Sequence, residues 1–166
     1  MSVGSNMKTL VLTIFLLIIM LNNSMVGAVG DVVMLPQEKE KISAEDELKS
    51  VKQSSLFAFY STRDYADIVN NNLALVATSR VNDYKKVLDR ITKVYESTKT
   101  ENAKYCAWFA ETIIAERLAT LEAYIKFAEC YSAGDSKGCK NYNSQIKYRS
   151  DRANELYKSF AKVFDI

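Results

Sequence analysis

Histidine is absent from this 166-residue sequence, and with it goes a large share of familiar chemistry. Ser–His and Cys–His nucleophile pairs, HExxH zinc sites, CxxCH haem attachment and the ExxH pairs of di-iron bundles all require it. Proline occurs once and glycine five times, which excludes collagen-like and flexible low-complexity chains. An excess of one charge is missing too. Lys and Arg total 22 against 20 Asp and Glu, a net charge of +2, so no clustered positive footprint for nucleic acid is present. There is no Gly-rich phosphate loop, Walker motif or GxSxG elbow. Three cysteines without histidine make a poor zinc set. What remains is 48% hydrophobic, 25% charged and 11% aromatic, a composition that suits one compact domain. Neither a cofactor, a metal nor a catalytic residue is expected.

The first segment reads as an address. Residues 9–21 (TLVLTIFLLIIML) form an apolar run behind Lys8. The run is shorter than the roughly 20 residues a bilayer span needs, as signal-peptide cores are. Asn22, Asn23 and Ser24 break it, and Val26 and Ala28 fit the −3 and −1 positions of a cleavage site; Ala28 with Gly30 fits nearly as well. The expected division is a signal peptide over 1–28, an extended N-terminal tail over 29–42 and a helical domain over 43–166. The processed chain is expected to be secreted or extracytoplasmic and to keep no stable membrane span; an uncleaved anchor is the alternative.

Export makes a disulfide chemically available. Cys130 and Cys139 flank a turn-rich stretch holding two of the glycines, and a bond between them would close a short loop. Such a loop is worth about 2–3 kcal/mol. Cys106 is left over. Sharing a helix with Cys130, it lies about 36 Å from it and cannot pair. It is either a small buried residue or a thiol through which an oligomer forms.

Ser43 followed by Glu45 and Asp46 resembles a helix start. From there to Gly134 neither Gly nor Pro appears, and apolar residues recur at three- and four-residue steps. The amphipathic helix therefore dominates. A first helix carries Leu48, Val51, Ala58 and Phe59, and a second runs from Tyr65 to Val94. Residues 61–64 form the expected break between them, with Asn70, Asn71 and Asn72 competing. A third helix, capped by Thr100, runs past Cys106 and Leu121 to Gly134, and a fourth carries Tyr142, Ile146, Ala153, Leu156, Phe160 and Val163. The expected fold is all-α: an antiparallel up-down bundle of three to four long helices.

Three arginines interrupt the apolar stripes: Arg80, Arg117 and Arg149. Counted from the turn near Thr100, Arg80 is about 30 Å and Arg117 about 25 Å down their helices; from the turn near Asp135, Arg117 is about 27 Å and Arg149 about 21 Å away. They share one level near mid-bundle. Three outcomes follow: heads that reach water along the stripe edges, an ion-pair layer with acids such as Asp83, Glu116 or Asp151, or an anion site. The first is the leading expectation. The acids of the third helix do not line one face at metal-ligand spacing, and Glu122 with Lys126 reads as an ordinary i,i+4 pair.

Phe57, Phe59 and Tyr60 cluster at the end of the first helix, and Tyr105, Trp108 and Phe109 at the start of the third. Tyr105 and Trp108, one turn apart beside the stripe, are the expected contact patch. The functional expectation is an exported, non-enzymatic bundle that binds a partner protein or envelope component. The alternative is a small-ligand carrier, with an internal cavity lined by Phe, Tyr and Arg.

Overall fold

A computed structural model describes residues 42–166; the expected signal peptide, its cleavage site and all but the last residue of the tail lie outside them. Ser43 caps the first helix, accepting from the Asp46 backbone N–H at 3.1 Å. Glu45, Asp46 and Glu47 then place negative charge where the helix dipole is positive. This helix, α1, spans Ala44–Ser61. Both competing breaks in the sequence are real, so a short α2 (Tyr65–Asn70) stands between α1 and α3 (Ala74–Ser97). Asn72 makes the second break with a left-handed φ of 56°, a conformation Asn adopts more readily than most residues. The long α4 spans Glu101–Ser132, and α5 spans Ser136–Phe164. Between these two, Gly134 takes φ 72°. The Asp135 N–H then reaches the Cys130 carbonyl at 2.9 Å and the Gly134 N–H that of Tyr131 at 3.2 Å. Those two bonds form a Schellman end, which glycine makes accessible. Asp135 goes on to cap α5 by accepting from the Gly138 N–H at 2.9 Å. The described residues contain no strand.

Four long helices pack together, with α4 in the middle. It touches α1, α3 and α5, and its buried residues run from Ala103 to Tyr124 round much of its circumference. Burial on several sides explains why its sequence shows no single apolar stripe. The core forms two clusters. One joins Phe59, Ile91, Ile113, Ile114 and Phe160; the other joins Tyr65, Tyr84, Leu118, Leu121 and Ile146. Polar bonds fix the register between helices. Thr92 donates to Glu111 at 2.6 Å, and Lys85 meets Glu122 at 3.2 Å. The expected Glu122–Lys126 pair is therefore replaced, and Lys126 bonds Glu129 at 2.8 Å instead. On α5, Phe164 rather than Val163 completes the buried seam, since Val163 faces water.

Candidate functional site

The three stripe arginines behave differently from one another. Arg80 meets Asp64 and Asp83 at 3.0 and 3.1 Å, and Arg149 meets Glu116 at 3.1 Å. Glu116 also holds Arg152 at 3.1 Å. Asp151, the other acid considered from sequence, makes no ion pair among the described residues. Arg117 departs most from the expectation of a head reaching water: it is only 6% exposed. On a helix packed from several directions, the edge of one stripe lies in the face of the next.

Arg117 has no carboxylate partner among the described residues, so its burial needs another explanation. One guanidinium nitrogen donates to the Phe59 carbonyl and to the Thr62 hydroxyl, both at 2.9 Å. These groups lie at the C-terminal end of α1, whose last turn has no basic residue of its own. The carbonyl end of the helix carries partial negative charge, and Arg117 supplies the cation that favours it. The rings of Phe59, Tyr65 and Tyr157 stand 5.6, 5.3 and 5.7 Å from the guanidinium carbon, each within cation–π range. Its Nε remains without a partner. Burial pulls the guanidinium below its usual pKa. Tyr84 completes this corner. Its hydroxyl shares one proton between the Asp64 carboxylate at 2.7 Å and the Thr62 carbonyl at 2.8 Å. Burial first, and then Asp64, pushes that hydroxyl far above the ordinary tyrosine range, so it stays a donor. The corner holds the α1–α2 break; no described depression is lined by more than one of the three arginines.

The pairing expected of Cys130 and Cys139 differs as well. Cys130 and Cys139 are free thiols, not a disulfide. The Cys130 sulfur sits against Gly138, where an added Cβ would approach it to 2.7 Å, so its side chain is turned onto the first turn of α5. Burial and the neighbouring Asp135 carboxylate push its thiol up, which disfavours the thiolate that oxidation requires. Cys106 is fully buried, 3.9 Å from the Ser55 hydroxyl, and burial raises its thiol too. No accessible sulfur is left there for an intermolecular bond.

Tyr105 and Trp108 are 48% and 43% exposed and stack at 5.8 Å, with Phe109 edge-on to both. A second aromatic surface lies on α1. Phe57 and Tyr60 are 61% and 64% exposed. Phe57 stands over a groove of about 360 Å³ between α1 and α3, lined by Ala58, Val87, Ile91, Val94 and Arg90. An adjoining depression of about 500 Å³ shares Phe57 and adds Tyr60, Arg63 and Arg80. No protein-family model, curated protein or solved structure matches this chain. The sequence signalled part of the valley through the cluster Phe57, Phe59 and Tyr60, of which Phe57 and Tyr60 line it while Phe59 is buried in the core. Its other wall, Val87 to Val94, comes from a helix some thirty residues on, which no local pattern connects to it. No described helix is long and apolar enough to cross a membrane, and no three metal-ligating side chains cluster among the described residues.

Proposed function

We propose that the chain is an exported, non-enzymatic bundle protein that binds a partner protein or cell-envelope component. In this reading its four long helices run antiparallel, up and down, behind a leader cleaved after residue 28 or residue 30. The observation that carries it is Phe57, 61% exposed above an open apolar valley. Phe57 and Tyr60, exposed beside an apolar groove, form a contiguous patch of the kind that partners cover. The pairs Thr92–Glu111 and Lys85–Glu122 support the antiparallel course, because residue numbers rise on one helix as they fall on the other. The missing histidine supports a non-enzymatic role, as does the use of Glu47, Asp64 and Glu116 in helix ends and ion pairs. The carrier alternative has less support. The depressions are open grooves, whereas a small-molecule site buries roughly 70–90% of its ligand.

The test is affinity capture with tagged chain from the envelope and secreted fractions of its source cells. A partner bound by the wild type and lost with Phe57→Ser, at unchanged thermal stability, supports the reading. Capture of nothing above background by the wild type overturns it. N-terminal sequencing tests export separately: the mature chain should begin at Val29 or Asp31, and a membrane-bound product that retains Met1 or Met7 refutes the leader.

A further inference from the structure

The occupant of the α1–α3 valley can be specified from the charges on its rim. Three carboxylates on the surrounding elements are already engaged. Asp64 holds Arg80 and Tyr84, Asp83 holds Arg80 with Lys86 close by, and Asp89 holds Lys93. Arg63 and Arg90 have no carboxylate partner among the described residues. The Arg63 guanidinium carbon lies over the Tyr60 ring, 4.3 Å from its centre, and Arg90 lines the apolar groove. The valley therefore has an apolar floor, two aromatic side chains and two uncompensated guanidiniums. Arginine and aromatics are the residues that dominate the centres of protein interfaces.

The spacing of the charges adds a constraint. Asp64 bonds Arg80, so its neighbour Arg63 sits near the level of residue 80 on α3. Arg90 lies further along the same helix by ten residues, or about 15 Å. A ligand must span that length while leaving its outer side in water, because the valley has no roof. A small amphiphile would remain half exposed there. A helix laid along the valley buries one stripe and leaves the other side wet, and positions eleven apart, about three turns, fall on one face.

We propose that this valley receives a single amphipathic helix of a partner protein. Its apolar stripe seats against Phe57, Val87, Ile91 and Val94, and acidic residues about three turns apart meet Arg63 and Arg90. The proposal rests on the partner-binding reading above and names the partner's chemistry.

The experiment uses the full bundle and a displayed library of amphipathic helices about 18 residues, or five turns, long. Each carries a fixed Leu and Ile stripe, with Glu, Gln or Lys allowed at the flanking positions. Selected helices should carry Glu at two flanking positions about three turns apart. Their binding should fall at least about tenfold against the Arg63→Glu, Arg90→Glu double variant, which should instead select Lys at the same positions. Phe57→Ser should abolish binding of both sets, with helical content and Tm unchanged. Enrichment of Lys or Gln on the wild type overturns the proposal, as does equal binding to the double variant. Self-association in sedimentation that Phe57→Ser removes assigns the valley to a second copy and overturns it. Binding to phosphatidylglycerol vesicles that depends on Arg63 and Arg90 assigns it to a lipid surface, with the same consequence. If no library helix binds but native capture still depends on Phe57, the helix proposal falls alone; if native capture fails as well, both readings fall.

Discussion

Replacing Arg117 by Met, Lys and Ala separates the forces that keep a guanidinium inside this bundle. Met removes charge-assisted bonds to the Phe59 carbonyl and the Thr62 hydroxyl, each worth about 1.5–3 kcal/mol. It also forfeits up to about 2 kcal/mol at the α1 end and a similar amount from the three rings. Against this, it removes the cost of the unpartnered Nε, about 1–3 kcal/mol, and the desolvation of a buried charge, worth several more. Neither released acceptor is stranded. The Phe59 carbonyl still receives the Thr62 N–H, and the Thr62 hydroxyl still donates to the Ala58 carbonyl at 2.9 Å. The terms nearly cancel, so Arg117→Met should lie within about 1 kcal/mol of the wild type. Lysine keeps the charge, hydrates more strongly and has no flat face for the rings, so Arg117→Lys should be the less stable of the two. Alanine leaves a void bounded by Phe59, Tyr65 and Tyr157 and should cost about 3 kcal/mol. For a domain of this size that is a fall in Tm of roughly 10–15 °C. Thermal and urea unfolding of the three variants give the order. A lysine variant more stable than the methionine one, or an alanine variant within about 1 kcal/mol of wild type, refutes the account of desolvation set against an aromatic, dipolar cage.

Three further outcomes are expected. The Thr100 hydroxyl and the backbone N–H groups of Lys99 and Thr100 hold the Glu47 carboxyl below its ordinary pKa, so its stabilising contribution is full above that ordinary value and is lost as pH falls through the lowered one. Melting curves between about pH 6 and about pH 3 should show Glu47→Gln less stable than wild type at the upper end, with the difference vanishing at the lower; a constant difference would contradict the assignment. Gly138→Ala should cost more than Gly134→Ala, about 2–3 kcal/mol against about 1. The first drives a Cβ into Asp135 and Cys130 and disturbs a cap, while the second meets open space and only backbone strain; equal Tm values would argue against that packing. In timed alkylation of native protein, Cys139 and Cys130 should be labelled while Cys106 stays protected until the bundle unfolds, and early labelling of Cys106 would show that its core position is wrong.

Much of the helix pattern was legible because its signals are local. Ser43 caps α1 through its own side chain, and Gly134 ends α4. The two candidate breaks after α1 compete in the sequence because either can end a stripe, yet the chain uses both. Thr100 marks the start of α4 without a capping bond from its side chain; Glu47, more than fifty residues earlier, supplies the acceptor. The level shared by the arginines followed from counting along helices, but the direction each points did not. Rotation about a helix axis is set by neighbours, and α4 has neighbours on several sides. The same limit hid the valley. Phe57 is visible in the sequence as an aromatic, but its exposure depends on how far α3 stands from α1.

Three of the ties that hold α1 reach far along the chain, beside the nearer bond from Tyr84 to the Thr62 carbonyl. Glu47 bonds the turn before α4, Lys52 reaches the Phe164 carbonyl, and the C-terminal carbonyls of α1 wait for Arg117. These partners are 53, 112 and 58 residues distant, whereas α3, α4 and α5 are stitched by pairs 19 to 37 residues apart. Closing long loops is the slow part of folding, so α1 should dock after the other three helices have assembled, with low φ-values along its length. One wall of the valley is α1 itself. The valley is thus the last part of the bundle to form, and under the proposed function a chain that has not finished folding offers a partner nothing.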